Sequence, residues 1–193
     1  LYKWDRFRVT NMKIFFKDYL PKDFILAVLE LYKAKTELKG VEGKEVEYLV
    51  SKGMINSCYG MCVTDPCRDE ILYDNGWTVN AANIDELIER YNKNMNRFLY
   101  YPWGVWVTAY ARRNLFSGIL EFKDDYIYSD TDSIKVVNID NHREYIDNYN
   151  KTITEKIEKC LNHYNIPLEM ANPKTIKGVT KPMGIWEWEG KYS

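Results

Sequence analysis

Nowhere does this sequence approach the roughly 20 consecutive apolar residues that cross a bilayer. Its richest run, Phe24 to Leu31, soon meets Lys33 and Lys35. A secretory leader is missing as well, so the reading expects no membrane partner and a cytoplasmic location. Cysteine is sparse. Cys58, Cys62, Cys67 and Cys160 lack the paired spacing of zinc ligands, and only His142 and His163 could join them. Reduced, partly buried thiols are expected instead of disulfides or zinc. Positive charge is not in excess either: 27 Lys and Arg stand against 28 Asp and Glu, a formal net charge of -1. That balance does not advertise the broad basic face usual in nucleic-acid binders, so any such role has to come from local motifs. Repeats and low-complexity tracts are absent, which excludes solenoids and disordered arrays.

What is present suits one medium domain or a segment of a larger one, since the chain has 193 residues and is 46% hydrophobic. Aromatics are abundant, with 16 Tyr and 6 Trp. Phe7-Arg8-Val9-Thr10 reads as a short strand. A helix is expected from Pro21 through Phe24, Val28, Leu31 and Tyr32 to Gly40, a turn at Gly40 and Gly43, and a second helix over Val46 to Tyr59. The turn signal Asp65-Pro66 closes that pair. Next come a turn at Asp74-Asn75-Gly76 and a helix opened by Asn83 with Glu86 three residues on, whose stripe is Leu87, Tyr91, Met95 and Phe98. Gly104 to Phe122 has a helical pattern. Tyr126 to Val137 reads as a hairpin, and Tyr145, Tyr149, Ile153, Ile157 and Leu161 form one stripe of a last helix that stops before Pro167.

The hairpin's polar centre, Ser129-Asp130-Thr131-Asp132-Ser133, holds two acids two residues apart. On a strand, period two sends both carboxylates to one face. Like charges held that close call for a cation, and hard oxygen donors suit Mg²⁺ or Mn²⁺. The plainer alternative is a polar turn, because Asp and Ser favour turns for backbone reasons. Upstream, Lys52, Asn56 and Tyr59 in Lys52-Gly53-Met54-Ile55-Asn56-Ser57-Cys58-Tyr59-Gly60 fall at i, i+4 and i+7, which aligns an ammonium, an amide and a ring on one helix face. Such a row suits a nucleoside triphosphate, while a solvated lysine and a core tyrosine are the alternative.

Tyr128-Ser129-Asp130-Thr131-Asp132-Ser133 resembles the palm motif Tyr-x-Asp-Thr-Asp-Ser of family B DNA polymerases. The stretch from Lys52 to Gly60 is similar to that family's fingers motif, Lys-x3-Asn-Ser-x-Tyr-Gly, at every specified position. Between them, Tyr101-Pro102-Trp103-Gly104-Val105-Trp106-Val107-Thr108-Ala109-Tyr110-Ala111-Arg112 is similar to the segment before the palm hairpin in protein-primed polymerases of phages and linear plasmids. Lys181-Pro182-Met183-Gly184-Ile185-Trp186 resembles their Lys-x-x-Gly-x-Trp region, which leads into the thumb.

The resemblance implies an α+β, helix-rich fingers and palm fragment of a right-hand polymerase with a small antiparallel sheet. In that scheme residues 1–13 hold a leading palm strand, 14–63 the fingers helical hairpin, 64–103 an inserted subdomain, 104–166 the palm with its metal-binding hairpin, and 167–193 the start of the thumb region. It implies DNA-directed DNA polymerase activity: nucleotidyl transfer from dNTP to a primer 3′-hydroxyl by two metal ions, Mg²⁺ or Mn²⁺, in DNA replication. Asp132 is the implied principal metal ligand and Asp130 the supporting acid, both catalytic. Lys52, Asn56 and Tyr59 hold the nucleotide. Lys35 is a further triphosphate contact for which Lys33 and Lys39 compete. Thr108 and Arg112 touch primer-template DNA. A priming terminal protein and the rest of the polymerase chain are implied partners, and phage origin implies the host cytoplasm.

The family's earlier motif, Asp-x2-Ser-Leu-Tyr-Pro, which supplies another metal-bridging carboxylate, is not found. The sole Tyr-Pro, Tyr101-Pro102, lies after the fingers motif with Asn96 in the aspartate's place. Exonuclease motifs and the downstream Lys-x-Tyr are also missing. The expectation is therefore a fragment inactive alone, with a non-catalytic nucleotide- or DNA-binding remnant as the alternative.

Overall fold

The computed structural model describes the whole chain except residues 1–4, 7, 13, 15, 17, 96, 98, 99 and 193. Pro21, with φ -52°, precedes helix α1, Lys22–Leu38, where a ring-fixed φ and a missing N–H cost nothing. Asp23 in its first turn and Lys35 in its last complement the helix dipole. Gly40 and Gly43 then reverse the chain at φ +78° and +75°, a region open to glycine at little cost. Helix α2, Glu45–Gly60, follows and packs against α1 as a helical hairpin. A 3-10 turn, Met61–Val63, extends α2 and buries Cys62.

Strands β1, Glu70–Tyr73, and β2, Trp77–Asn80, pair antiparallel around Asn75 at φ +51°. Helix α3, Ile84–Lys93, is capped as its sequence requires, with the Asn83 side chain accepting from the Glu86 N–H at 3.4 Å. Helix α4, Tyr101–Phe122, begins three residues before Gly104 because Pro102 suits a first turn. Strands β3, Tyr126–Asp130, and β4, Ser133–Val136, form the second antiparallel pair, with a bulge between Tyr126 and Tyr128. Helix α5, Arg143–His163, precedes a tail containing a 3-10 turn, Leu168–Ala171. Among the described residues the chain is thus α+β, with five α-helices and two small antiparallel sheets. No described helix is long and apolar enough to cross a membrane.

The core lies where α1, α5 and the tail meet. Leu29, Leu161, Ile166 and Ala171 are buried together, with Ile25, Leu26, Ile157 and Met183 packed around them. Two tyrosines pin this junction: Tyr32 donates to the Lys181 carbonyl at 3.1 Å and Tyr164 to the Leu20 carbonyl at 2.9 Å. A second focus joins α4 to the β3–β4 hairpin at Gly118. A Cβ there falls 2.7 Å from Ile134 Cδ1 and 3.7 Å from Trp186. Ile134 Cδ1 is the free end of a flexible side chain, and a helix interior favours alanine over glycine by about 1 kcal/mol, so Gly118→Ala is expected to be near neutral. The branched Gly118→Val is expected to cost about 1 to 3 kcal/mol by overpacking. A lowered denaturation midpoint with unchanged slope in Gly118→Val checks this, and an unchanged midpoint contradicts the packing.

Three sequence expectations need correction. Phe7 lies outside the described residues, and Arg8-Val9-Thr10 forms no strand, since no described segment offers the ladder that satisfies extended backbone. Helix α3 ends at Lys93, so Met95 is not on its stripe; it is 95% exposed, and Phe98 lies outside the described residues. Asp132 is not on a strand. β3 ends at Asp130 and β4 begins at Ser133, so the period-two argument for a shared face does not apply.

Candidate functional site

Asp130 and Asp132 sit at the exposed tip of the β3–β4 hairpin. Thr131 and Asp132 form its two-residue turn, and Thr131 adopts φ +47°. The turn is held locally: Thr131 donates its hydroxyl to Asp130 Oδ1 at 2.9 Å, and Ser133 donates to the Asp130 carbonyl at 3.2 Å. Among the described residues the Asp132 carboxylate makes no hydrogen bond or ion pair, which leaves its oxygens open to an outside cation. What brings the two acids near each other is the tight turn, rather than a shared strand face.

On α2, Lys52, Asn56 and Tyr59 keep the i, i+4, i+7 spacing and all three are exposed. Neither Lys52 nor Asn56 has a polar partner among the described residues, so an ammonium and an amide stand free. Ser57, by contrast, donates its hydroxyl back to the Gly53 carbonyl at 2.9 Å. Of the competing lysines, Lys33 is set apart by pairing. It meets Glu37 at 3.8 Å, whereas Lys35 lies over the Tyr32 ring at 5.9 Å, and among the described residues neither Lys35 nor Lys39 makes an ion pair.

Helix α4 carries Thr108 and Arg112, both exposed. Thr108 donates into its own helix, to the Gly104 and Val105 carbonyls at 3.1 and 3.0 Å, and so offers a ligand mainly its acceptor lone pairs. α4 packs on α2 and on β4, which makes it the element joining the Lys52 helix to the carboxylate hairpin. Gly104 lets α4 lie close against the 3-10 turn that extends α2, since a Cβ there would collide with Val63 Cγ1. No hydrogen bond or ion pair links Asp130 or Asp132 to Lys52, Asn56, Tyr59, Lys35, Thr108 or Arg112 among the described residues.

Two features beside the site were missed by sequence reasoning. Lys135 on β4 lies 5.7 Å from the Tyr128 ring and 4.6 Å from that of Tyr192, a cation between two aromatic faces. At the hairpin's open end, Asp125 accepts from His142 Nε2 at 2.9 Å and from the Asn138 amide at 2.8 Å. These bonds, that of His142 foremost, hold the Asp125 carboxyl below the usual carboxylate range. The hairpin pattern itself held a usable signal, because closing 126–136 places 125 opposite 137 and 138.

Comparison with protein-family models, with curated proteins and with solved structures finds no match to this chain.

As a ligand set, two neighbouring carboxylates fit Mg²⁺ or Mn²⁺ by hardness and charge. They form only part of a cage, for no group of three or more His, Cys, Asp or Glu suited to a metal ion occurs among the described residues.

Proposed function

We propose that the chain is the fingers and part of the palm of a family B DNA polymerase of the protein-primed kind, serving DNA-templated nucleotidyl transfer from a dNTP to a primer 3′-hydroxyl. One observation carries this reading: an exposed carboxylate pair lies on a hairpin that packs against α4, the same helix that packs against the free Lys52 face of α2. In this reading Lys52 neutralises the triphosphate, with Lys35 as a second cation, and Asn56 adds a polar contact. Tyr59, 41% exposed, lies against the nascent base pair. Thr108 and Arg112 contact the primer-template backbone. Asp132 and Asp130 hold Mg²⁺ or Mn²⁺. When bound, such ions supply activation of the primer hydroxyl and charge neutralisation at the phosphates.

Two further facts favour a piece of a larger assembly. Among the described residues each of β3 and β4 has a single strand partner, so an open edge is available for a third strand carrying the missing carboxylate. Large apolar side chains also stand open among the described residues, Ile71 at 65%, Trp77 at 76% and Trp188 at 66% exposed, which is surface a larger assembly would cover. The second reading, a non-catalytic nucleotide- or DNA-binding remnant, draws on the same incomplete cage.

Lys52 separates phosphate recognition from a merely solvated lysine. Lys52→Ala is expected to weaken dNTP binding about tenfold, as befits a lost charge-assisted contact, while Lys33→Ala changes little. Equal effects of the two substitutions in a calorimetric dNTP titration would remove the triphosphate role from α2. DNA binding with no metal requirement, and no dNTP binding, would favour the remnant.

A further inference from the structure

The turn bearing the carboxylates does not suit its own sequence. A two-residue hairpin loop with positive φ at its first position is normally served by glycine, and here Thr131, a β-branched residue, occupies it at φ +47°. The strands give weak guidance as well. The bulge at Ile127 lets Tyr126 pair with Val136 and Tyr128 with Lys135, and a one-residue slip of so short a ladder moves every side chain to the opposite face. Something other than the turn has to fix the register.

At the opposite end of the hairpin, Asp125 is gripped three times. Its carbonyl accepts from the Val137 N–H at 2.9 Å, its Oδ1 from the Asn138 amide at 2.8 Å, and its Oδ2 from His142 Nε2 at 2.9 Å. Asn138 reaches it from φ +50°, a conformation asparagine tolerates better than most residues. The His142 and Asp125 side chains are only 13% and 23% exposed. The edge-on Phe122 ring, 5.0 Å from the imidazole, ties the group to the end of α4. The start of β3, the end of β4, α4 and the approach to α5 therefore converge on one carboxylate.

We propose that Asp125, held by His142 and Asn138, is a positioning residue that locks the β3–β4 register and so keeps the strained Thr131–Asp132 turn presenting Asp130 and Asp132 together. This rests on the reading of those two aspartates as metal ligands. A slipped or loosened hairpin separates the two acids, and the pair then acts as two single carboxylates with little hold on a divalent ion. Asp125 itself touches neither substrate nor metal.

The test follows Mn²⁺ binding to the full 193-residue chain by paramagnetic broadening of the Thr131 and Ser133 amide signals. His142→Phe keeps an aromatic ring against Phe122 and removes the bond to Asp125. It is expected to lower Mn²⁺ affinity at the turn about tenfold. His142→Gln, which can still donate to Asp125, is expected to restore most of it. Asn138→Gly suits the positive φ and loses only the amide bond, so it provides a second variant should the first fold poorly, with a smaller loss in the same direction. Unchanged affinity in both His142→Phe and Asn138→Gly overturns the positioning role while leaving the metal reading intact. If Asp132→Asn leaves Mn²⁺ binding at the turn unchanged, the metal reading fails and the proposal falls with it.

Discussion

Primer extension by the purified 193-residue chain is expected to be indistinguishable from background, with or without added Mg²⁺ or Mn²⁺. Two-metal nucleotidyl transfer needs carboxylates that hold the ions about 3.5 to 4 Å apart. Here Asp130 and Asp132 stand alone at the turn, without a third acidic ligand among the described residues. Losing a bridging carboxylate costs several kcal/mol of transition-state stabilisation, and each ~1.4 kcal/mol is a factor of ten in rate. The shortfall is therefore several orders of magnitude, even if Lys52, Asn56 and Tyr59 still hold the nucleotide. Robust extension of a primed template by this chain alone would mean that two aspartates suffice, and the fragment reading would be wrong.

The second large effect concerns stability. Leu161 is 2% exposed and lies in the cluster with Leu29, Ile166 and Ala171 that joins α1, α5 and the tail. Leu161→Ala removes methylene contacts and leaves a cavity that three separate elements cannot jointly close, at a cost of about 3 to 5 kcal/mol. Few other side chains among the described residues are fully buried, so they hold little reserve elsewhere. At this chain length the loss corresponds to a fall of about 10 °C in Tm, or to no cooperative transition at all. Val46→Ala, at a side chain 71% exposed, is the control and should stay within a few tenths of a kcal/mol. A Tm for Leu161→Ala within 2 or 3 °C of the parent, about 1 kcal/mol, would contradict the placement of the core.

The helices were the legible part of the sequence because their signals are local. Pro21, the glycines at 40 and 43, and the apolar stripe from Tyr145 to Leu161 each act within a turn or two, and α1, α2 and α5 follow them closely. Asn83 with Glu86 gave the start of α3 for the same reason. Strands depend on partners. Arg8-Val9-Thr10 has β-type composition, yet composition supplies no neighbour, and no strand forms there. The two hairpin acids were singled out by residue type, and their geometry was misread. Counting by twos put both acids on one strand face, whereas the chain turns between them through Thr131 at positive φ. A β-branched residue at such a position gives no advance notice of a turn. The bond from His142 to Asp125 spans 17 residues and depends on how the approach to α5 meets the hairpin base, which no local pattern encodes.

The central claim is that a metal-nucleotide complex is held between the hairpin carboxylates and the Lys52 face. Its most direct test is dNTP binding measured with and without Mg²⁺ in the parent chain and in Asp132→Asn. The account predicts Mg²⁺-dependent binding in the parent and loss of that dependence in Asp132→Asn. Binding of equal strength in both chains, indifferent to Mg²⁺, would contradict it.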